Sequence, residues 1–142
     1  MNTMKTSGYS GTGLAKKLGI KNGFNIKIVN YPDYYFELFA DFPSETHHIF
    51  DKKMKKNFIH YFARTIAELE KDIRQLSEEI EQNGIIWISW PKKSSKVETD
   101  LNGNIVREIG LKTGLVDIKV CAVDEIWSGL KFVIPLKDRN KY

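Results

Sequence analysis

The stretch Trp90-Pro91-Lys92-Lys93-Ser94-Ser95-Lys96 sets three ammoniums and two hydroxyls behind an indole and a proline ring. Lysine charge beside a helix N-terminus is suited to holding phosphate or carboxylate, because the helix dipole and the ammoniums act in the same sense. A solvated loop has the same composition, but it needs no wall of the kind Trp90-Pro91 supplies. Trp127, followed by Ser128-Gly129, offers an indole that either stacks on a planar ligand or anchors a hairpin. Asp124 and Glu125 are carboxylates of the type used as an acid/base pair, although neighbours in a turn usually point apart. Asn30 and Tyr31 complete the candidate ligand-binding set of Asn30, Tyr31, Trp90, Lys92, Lys93, Ser94, Ser95, Lys96, Asp124, Trp127 and Ser128.

Other patterns carry no chemistry. Gly8-Tyr9-Ser10-Gly11-Thr12-Gly13 is glycine-rich, yet it precedes the first strand pattern and has neither a GxGxxG continuation nor the glycine that a nucleophile elbow needs at Thr12. His47-His48 are neighbours in an extended segment and His60 lies within a strand pattern, so no spacing suits a metal. Cys121, in another strand pattern, reads as a small buried residue.

The elements that must position these residues follow from periodicity. Asn25–Asn30, Phe58–Ala63, Ile85–Trp90, Val116–Val123 and Leu130–Pro135 are β-branched or continuously apolar runs that read as strands. His47–Phe50 is a minor strand pattern. Ile66, Leu69, Ile73, Leu76 and Ile80 place an apolar stripe on a helix over 65–82, with Thr65 and Glu68 as a capping box and Gly84 as its left-handed end. A second helix over 100–112 carries Leu101, Ile105 and Ile109, with Thr99 or Asp100 at its start and Gly114 at its end. Short helical segments are expected at Leu14–Leu18, before Gly19, and at Asp33–Phe39, after Pro32. The connection Asp124–Gly129 is short enough for an antiparallel hairpin.

Strand, helix, strand, helix, strand and hairpin partner in that order predict an α/β fold: a Rossmann-like three-layer sandwich, mostly parallel, with an antiparallel edge strand at its end. Ligands of open α/β sheets bind beyond the carboxyl ends of the strands. Asn30–Asp33, Arg64-Thr65, Trp90–Lys96 and Asp124–Ser128 all follow strand ends, so they are expected to meet at one rim.

The chain has 142 residues, 42% hydrophobic and 28% charged, which suits one soluble domain with a core and excludes a disordered chain or a disulfide scaffold. The reading is one domain over 1–142, a flexible segment over 1–12 and a polar tail over 136–142. No run approaches the ~18 apolar residues of a membrane span, and the opening residues lack an apolar signal core, so the expected location is the cytoplasm. One cysteine fits a reducing compartment. The net charge of +4 comes from scattered cations, with one run at Lys52–Lys56. Nucleic-acid binders show a stronger imbalance with interleaved aromatics, which argues against that class of partner.

The segments Gly8–Gly23, Ile88–Leu101 and Gly114–Val133 (GYSGTGLAKKLGIKNG, ISWPKKSSKVETDL and GLVDIKVCAVDEIWSGLKFV) resemble a bacterial family classed as a domain of unknown function. Gly13 stands where that family has proline, and the resemblance implies no activity or catalytic residue. A second resemblance is architectural: LGIKNGFNIKIVN, IEQNGIIWISWPKK and the terminal hairpin look like parts of S-adenosylmethionine-dependent methyltransferases. That likeness implies S-adenosylmethionine as cofactor. The acidic, glycine-rich loop after their first strand is replaced here by Val29-Asn30-Tyr31-Pro32-Asp33, which argues against binding in that manner; the residues themselves call for no cofactor. Three functions remain open: a non-catalytic domain binding an anionic small molecule or a protein partner at the carboxyl edge, a reduced methyltransferase-like enzyme, and a nucleic-acid accessory protein using the lysine run.

Overall fold

The computed structural model describes residues 13–139. The glycine-rich opening and the segment expected to be flexible over 1–12 lie outside the described residues, as does the end of the tail over 140–142. Within them the chain forms helix α1 (Leu14–Leu18), strands β1 (Asn25–Val29), β2 (His47–His48) and β3 (Lys56–Phe62), helix α2 (Ile66–Glu78), strand β4 (Ile80–Pro91), helix α3 (Gly103–Lys112) and strands β5 (Val116–Ala122) and β6 (Trp127–Val133). Short 3-10 turns occupy Tyr35–Leu38, Lys93–Ser95 and Leu136–Asp138, so the start of the expected polar tail is structured.

The six strands form one sheet in the order β2-β1-β3-β4-β6-β5. β2, β1, β3 and β4 are mutually parallel, and β6 is antiparallel to both β4 and β5. The fold is therefore the mostly parallel α/β sandwich that the element order predicts, with one difference in placement. The antiparallel strand is internal: β6 fills a slot between β4 and β5, and β5 takes the edge. The α3 crossover carries the chain past one strand width, and the short connection after β5 lets β6 fold back into the gap.

Two apolar layers sandwich the sheet. On one face Leu69, Ile73 and Leu76 of α2 and Val106 and Ile109 of α3 pack on Ile59, Tyr61, Ile86, Ile88, Trp90, Leu130 and Phe132. On the other, α1 and the Tyr35–Leu38 turn cover Ile26, Ile28, Phe58, Phe62, Trp87 and Trp127. Each fully buried side chain of this kind contributes about 1.5–3 kcal/mol. The β4 run from Ile86 to Pro91 is buried throughout, as a strand covered on both faces must be.

The capping box forms as the sequence predicts: Glu68 N donates to Thr65 Oγ1 at 3.1 Å, and Thr65 N to Glu68 Oε1 at 3.3 Å. The far end of α2 departs from its pattern. The helix stops at Glu78, and Gly84 lies inside β4 rather than capping it. The cause is Glu79, whose carboxylate is fully buried and accepts hydrogen bonds from Lys56 Nζ at 2.7 Å, Lys27 Nζ at 2.9 Å and Gln75 Nε2 at 3.1 Å. Satisfying that buried charge outweighs one more turn of helix. Burial pushes Glu79 up, but these three donors outweigh it and hold the carboxyl below its ordinary value.

α3 begins at Gly103, capped by Asn102, whose side chain accepts from Ile105 N at 2.9 Å. Thr99 and Asp100, the caps expected from the sequence, bond elsewhere. The residue after the helix C-cap, Gly114, has φ +98°, as expected for the helix end.

Candidate functional site

The chain leaves β1 toward β2 on one side and β3 lies on the other, so the topological switch point of the sheet is between β1 and β3. Because β6 runs opposite to β4, its first residue is brought to the carboxyl rim: Trp127 pairs with Pro91. The rim is stitched across strands. Asn30, in a left-handed conformation at φ 59°, donates from Nδ2 to Phe62 O at 3.4 Å. Phe62 meets the Trp127 ring edge-on at 4.9 Å, and Lys92 N donates to Ile126 O at 2.7 Å. Contacts thus run from the end of β1 to the turn before β6.

Of the sequence candidates, Asn30 and Tyr31 are exposed on the β1 side, where Tyr31 packs on Tyr35 and Phe36. Lys92 is half-buried, and Lys93, Ser94 and Lys96 are exposed beyond β4. None of the three ammoniums makes an ion pair or hydrogen bond. Ser95 serves its own turn, donating to Lys92 O at 2.6 Å and accepting from Val97 N at 3.2 Å. Ser128 sits in β6 opposite Trp90.

Two expectations change, for Trp90 and for the lysines, and for Trp127 the anchor alternative is the one observed. Trp90 is no wall for a ligand: it is 7% exposed and lies in the core beneath α3, next to Gly103. Its position in a strand covered on both faces turns the indole inward. The lysines do not adjoin a helix N-terminus, since α3 starts at Gly103 and only a 3-10 turn accompanies them. Trp127 is 4% exposed and already engaged, with Phe62 at its edge and the Arg64 guanidinium 5.8 Å from its ring centroid.

Asp124 and Glu125 part company. Glu125 is exposed, whereas Asp124 is buried and its Oδ1 accepts from Ile126 N at 2.8 Å and Trp127 N at 2.7 Å. Asp124 is thereby the latch of the β5–β6 turn. Facing it is Tyr34, a residue the sequence reading did not single out. The Tyr34 hydroxyl is buried beside Asp124 and Trp127 without closing a hydrogen bond to either. Burial first, and the Asp124 carboxylate next, push its pKa up to about 12.

Beside the rim an open cleft of about 550 Å³ is lined by Arg64, Thr65, Val97, Glu98, Thr99 and Asp100. Its walls are tied to the start of α2: Thr99 Oγ1 donates to Arg64 O at 2.6 Å, and Ile66 N donates to Asp100 Oδ1 at 2.8 Å. The sequence places Arg64-Thr65 just past a strand but gives no sign that Val97–Asp100 folds against them, because that contact spans more than thirty positions of chain.

A Tyr35–His60–Ser89 chain resembles a proton relay, with Tyr35 Oη 2.9 Å from His60 Nδ1 and Ser89 Oγ 2.8 Å from Nε2. All three are fully buried under the α1 side of the sheet, where no substrate reaches them. Burial drives the imidazole down to about 3 and the Tyr35 phenol upward, so the chain is a neutral, satisfied core network. Among the described residues no group of three or more His, Cys, Asp or Glu side chains converges as a metal site.

Solved structures of like fold include several methyltransferases. Magnesium protoporphyrin IX methyltransferase from Synechocystis, with bound SAH, superposes with a TM-score of 0.57 at 10% identity over 86% of this chain and 80% of that one. N-methyltransferase NodS from Bradyrhizobium japonicum gives 0.57 at 9% identity over 86% and 92%. A TehB-like SAM-dependent methyltransferase from Corynebacterium glutamicum gives 0.54 at 11% identity over 86% and 85%. The fold is Rossmann-like, of methyltransferase type. At these identities the likeness shows the fold alone. No family model matches the sequence and no curated protein matches it, so the resemblance to a bacterial family of unknown function gains no support from those comparisons.

Some of the solved structures of like fold hold SAH or SAM, and the residues at this chain's switch point do not form a glycine loop for such a group. The turn after β1 holds no glycine, and Tyr31, Tyr35 and Phe36 close it with packed rings. β2 pairs only with Asn25 and Ile26, so it ends about 10 Å short of the rim and brings no side chain to it.

Proposed function

We propose that this chain is a reduced methyltransferase-like domain that takes a small molecule with an anionic group at the carboxyl rim, on the β3–β4 side of the switch point. The observation that carries this reading is a set of four cations there, Arg64, Lys92, Lys93 and Lys96, none of which forms an ion pair among the described residues. Cations left unpaired at the edge where open α/β sheets bind ligands offer an anion charge-assisted donors. On the β1 side Tyr31, Tyr35 and Phe36 pack ring against ring.

Thermal unfolding of the whole chain with inorganic phosphate, pyrophosphate and hexanoate tests the reading. At least one of these anions raises the melting temperature, and Lys92→Ala with Lys93→Ala reduces that rise while leaving the melting temperature without ligand unchanged. No rise with any of the three overturns it.

The structural neighbours favour a second reading, a working S-adenosylmethionine-dependent methyltransferase, and they support it more directly than they support a domain without catalysis. The Synechocystis enzyme carries SAH, and the fold matches over most of both chains. Calorimetric titration separates the two readings. Saturable binding of S-adenosylmethionine establishes the second, whereas none at millimolar cofactor removes it.

A further inference from the structure

The cleft beside the rim contains charges of both signs that do not pair with each other. Arg64, Glu98 and Asp100 all line it. The Arg64 guanidinium makes no hydrogen bond or ion pair and rests against Trp127. Glu98 has no polar partner, and Asp100 spends only Oδ1, on Ile66 N. Flexible opposite charges within reach of each other close into a pair. Here the bonds from Thr99 Oγ1 to Arg64 O and from Ile66 N to Asp100 Oδ1 hold the 97–100 segment against the start of α2, and the guanidinium rests over the Trp127 indole instead of closing on either carboxylate. The Thr99 hydroxyl is engaged both ways, donating to Arg64 O and accepting from Leu101 N, whereas Thr65 Oγ1 accepts from Glu68 N and keeps its own O–H to donate. What the cleft offers a ligand is one planar cation, two carboxylates and the Thr65 O–H.

We infer that the cleft of Arg64, Glu98 and Asp100 recognises an amphoteric ligand, its carboxylate on the Arg64 guanidinium and its ammonium between Glu98 and Asp100. The inference rests on the proposed rim-binding function and adds the second charge to its ligand. A guanidinium fork matches a carboxylate with two parallel N–H donors, and two carboxylates suit the three donors of an ammonium. A ligand with only a carboxylate gains Arg64 but places its charge near Glu98 and Asp100. A ligand with only an ammonium meets the converse penalty. Walls held in place before binding lower the ordering cost for the ligand that satisfies both.

The test uses three probes of one skeleton: L-norleucine, hexanoate, which lacks its amine, and pentylamine, which lacks its carboxyl. Each is titrated into the whole isotope-labelled chain, and the amide resonances of Thr65 and Val97–Asp100 are followed. Norleucine shifts these amides saturably, with hexanoate and pentylamine weaker by about tenfold or more, the equivalent of ~1.4 kcal/mol. Glu98→Gln, a surface change, removes the preference for norleucine without lowering the melting temperature, and Arg64→Gln removes it with at most the small loss of its contact with Trp127. Equal binding of hexanoate and norleucine overturns the inference and leaves the anionic reading standing. No shift at these amides with any probe, while phosphate or pyrophosphate still stabilises the wild type, overturns the inference alone. Absence of both effects removes the inference and the proposed function together.

Discussion

Burial at His60 turns one imidazole into a source of pH-dependent stability. The folded chain holds it near 3, against 6.5 for an unburied histidine. As pH falls through 6.5 the unfolded chain takes up a proton that the folded chain refuses. The stabilisation is therefore complete above pH 6.5 and is lost toward pH 3, at up to about 1.4 kcal/mol per pH unit. Glu79 also loses stabilisation in acid, but only once pH approaches its ordinary value of 4.5, so the interval from 6.5 down to about 5 belongs mainly to His60. Urea unfolding across that interval is expected to show a loss of about 1–2 kcal/mol in the wild type and little change in His60→Gln. Equal losses in the two proteins would mean that the Tyr35–His60–Ser89 network already admits a proton near neutrality.

At the level of the element, α3 shows packing overruling propensity. Gly110 lies inside it, and a Cβ there would stand 2.2 Å from Phe132 Cε1. Alanine in a helix interior gains about 1 kcal/mol over glycine, while overpacking a filled core costs about 1–3 kcal/mol. The aromatic ring is held between helix and sheet, so the clash decides the sign. Gly110→Ala should lower stability by about 1 kcal/mol or more, and Phe132→Leu in the same chain should return part of it, as chemical unfolding of the two variants would show. A more stable Gly110→Ala would mean that the ring has room to move. The same contrast explains what the sequence could tell about elements. The α2 stripe and the Thr65–Glu68 box are local, and local spacing reveals them. The end of α2 depends on Lys27 and Lys56, which lie in other strands, so Gly84 looked like a cap and proved to be strand. Asp100 looked like a helix start for α3 and instead bonds α2, a partner that no pattern along the chain discloses.

Across the whole molecule the rim was legible as a place but not as a surface. Strand ends can be read from apolar runs, so Asn30, Lys92 and Trp127 were assigned to one edge, and the sheet order puts them there. Which side chains face outward depends on packing between faces, and that turned Trp90 and Trp127 into core while leaving Arg64 and Glu98 at the cleft. Asp124 joins these scales, since a single buried carboxylate oxygen holds the turn that carries Trp127 to the rim. Asparagine at this position keeps an oxygen for both backbone donors and removes the charge that faces Tyr34. Asp124→Asn should therefore fold normally and titrate Tyr34 below the wild-type midpoint of about 12, because the carboxylate raises that midpoint both by its charge and by its contact. Asp124→Ala should instead lose about 1–3 kcal/mol, having left two backbone donors near the core without an acceptor. Tyrosine titration by ultraviolet absorbance reads the first effect and chemical unfolding the second. If Asp124→Asn destabilises as much as Asp124→Ala, the negative charge and not the shared oxygen holds the hairpin. The rim would then depend on electrostatics that the neighbouring Arg64 helps to set.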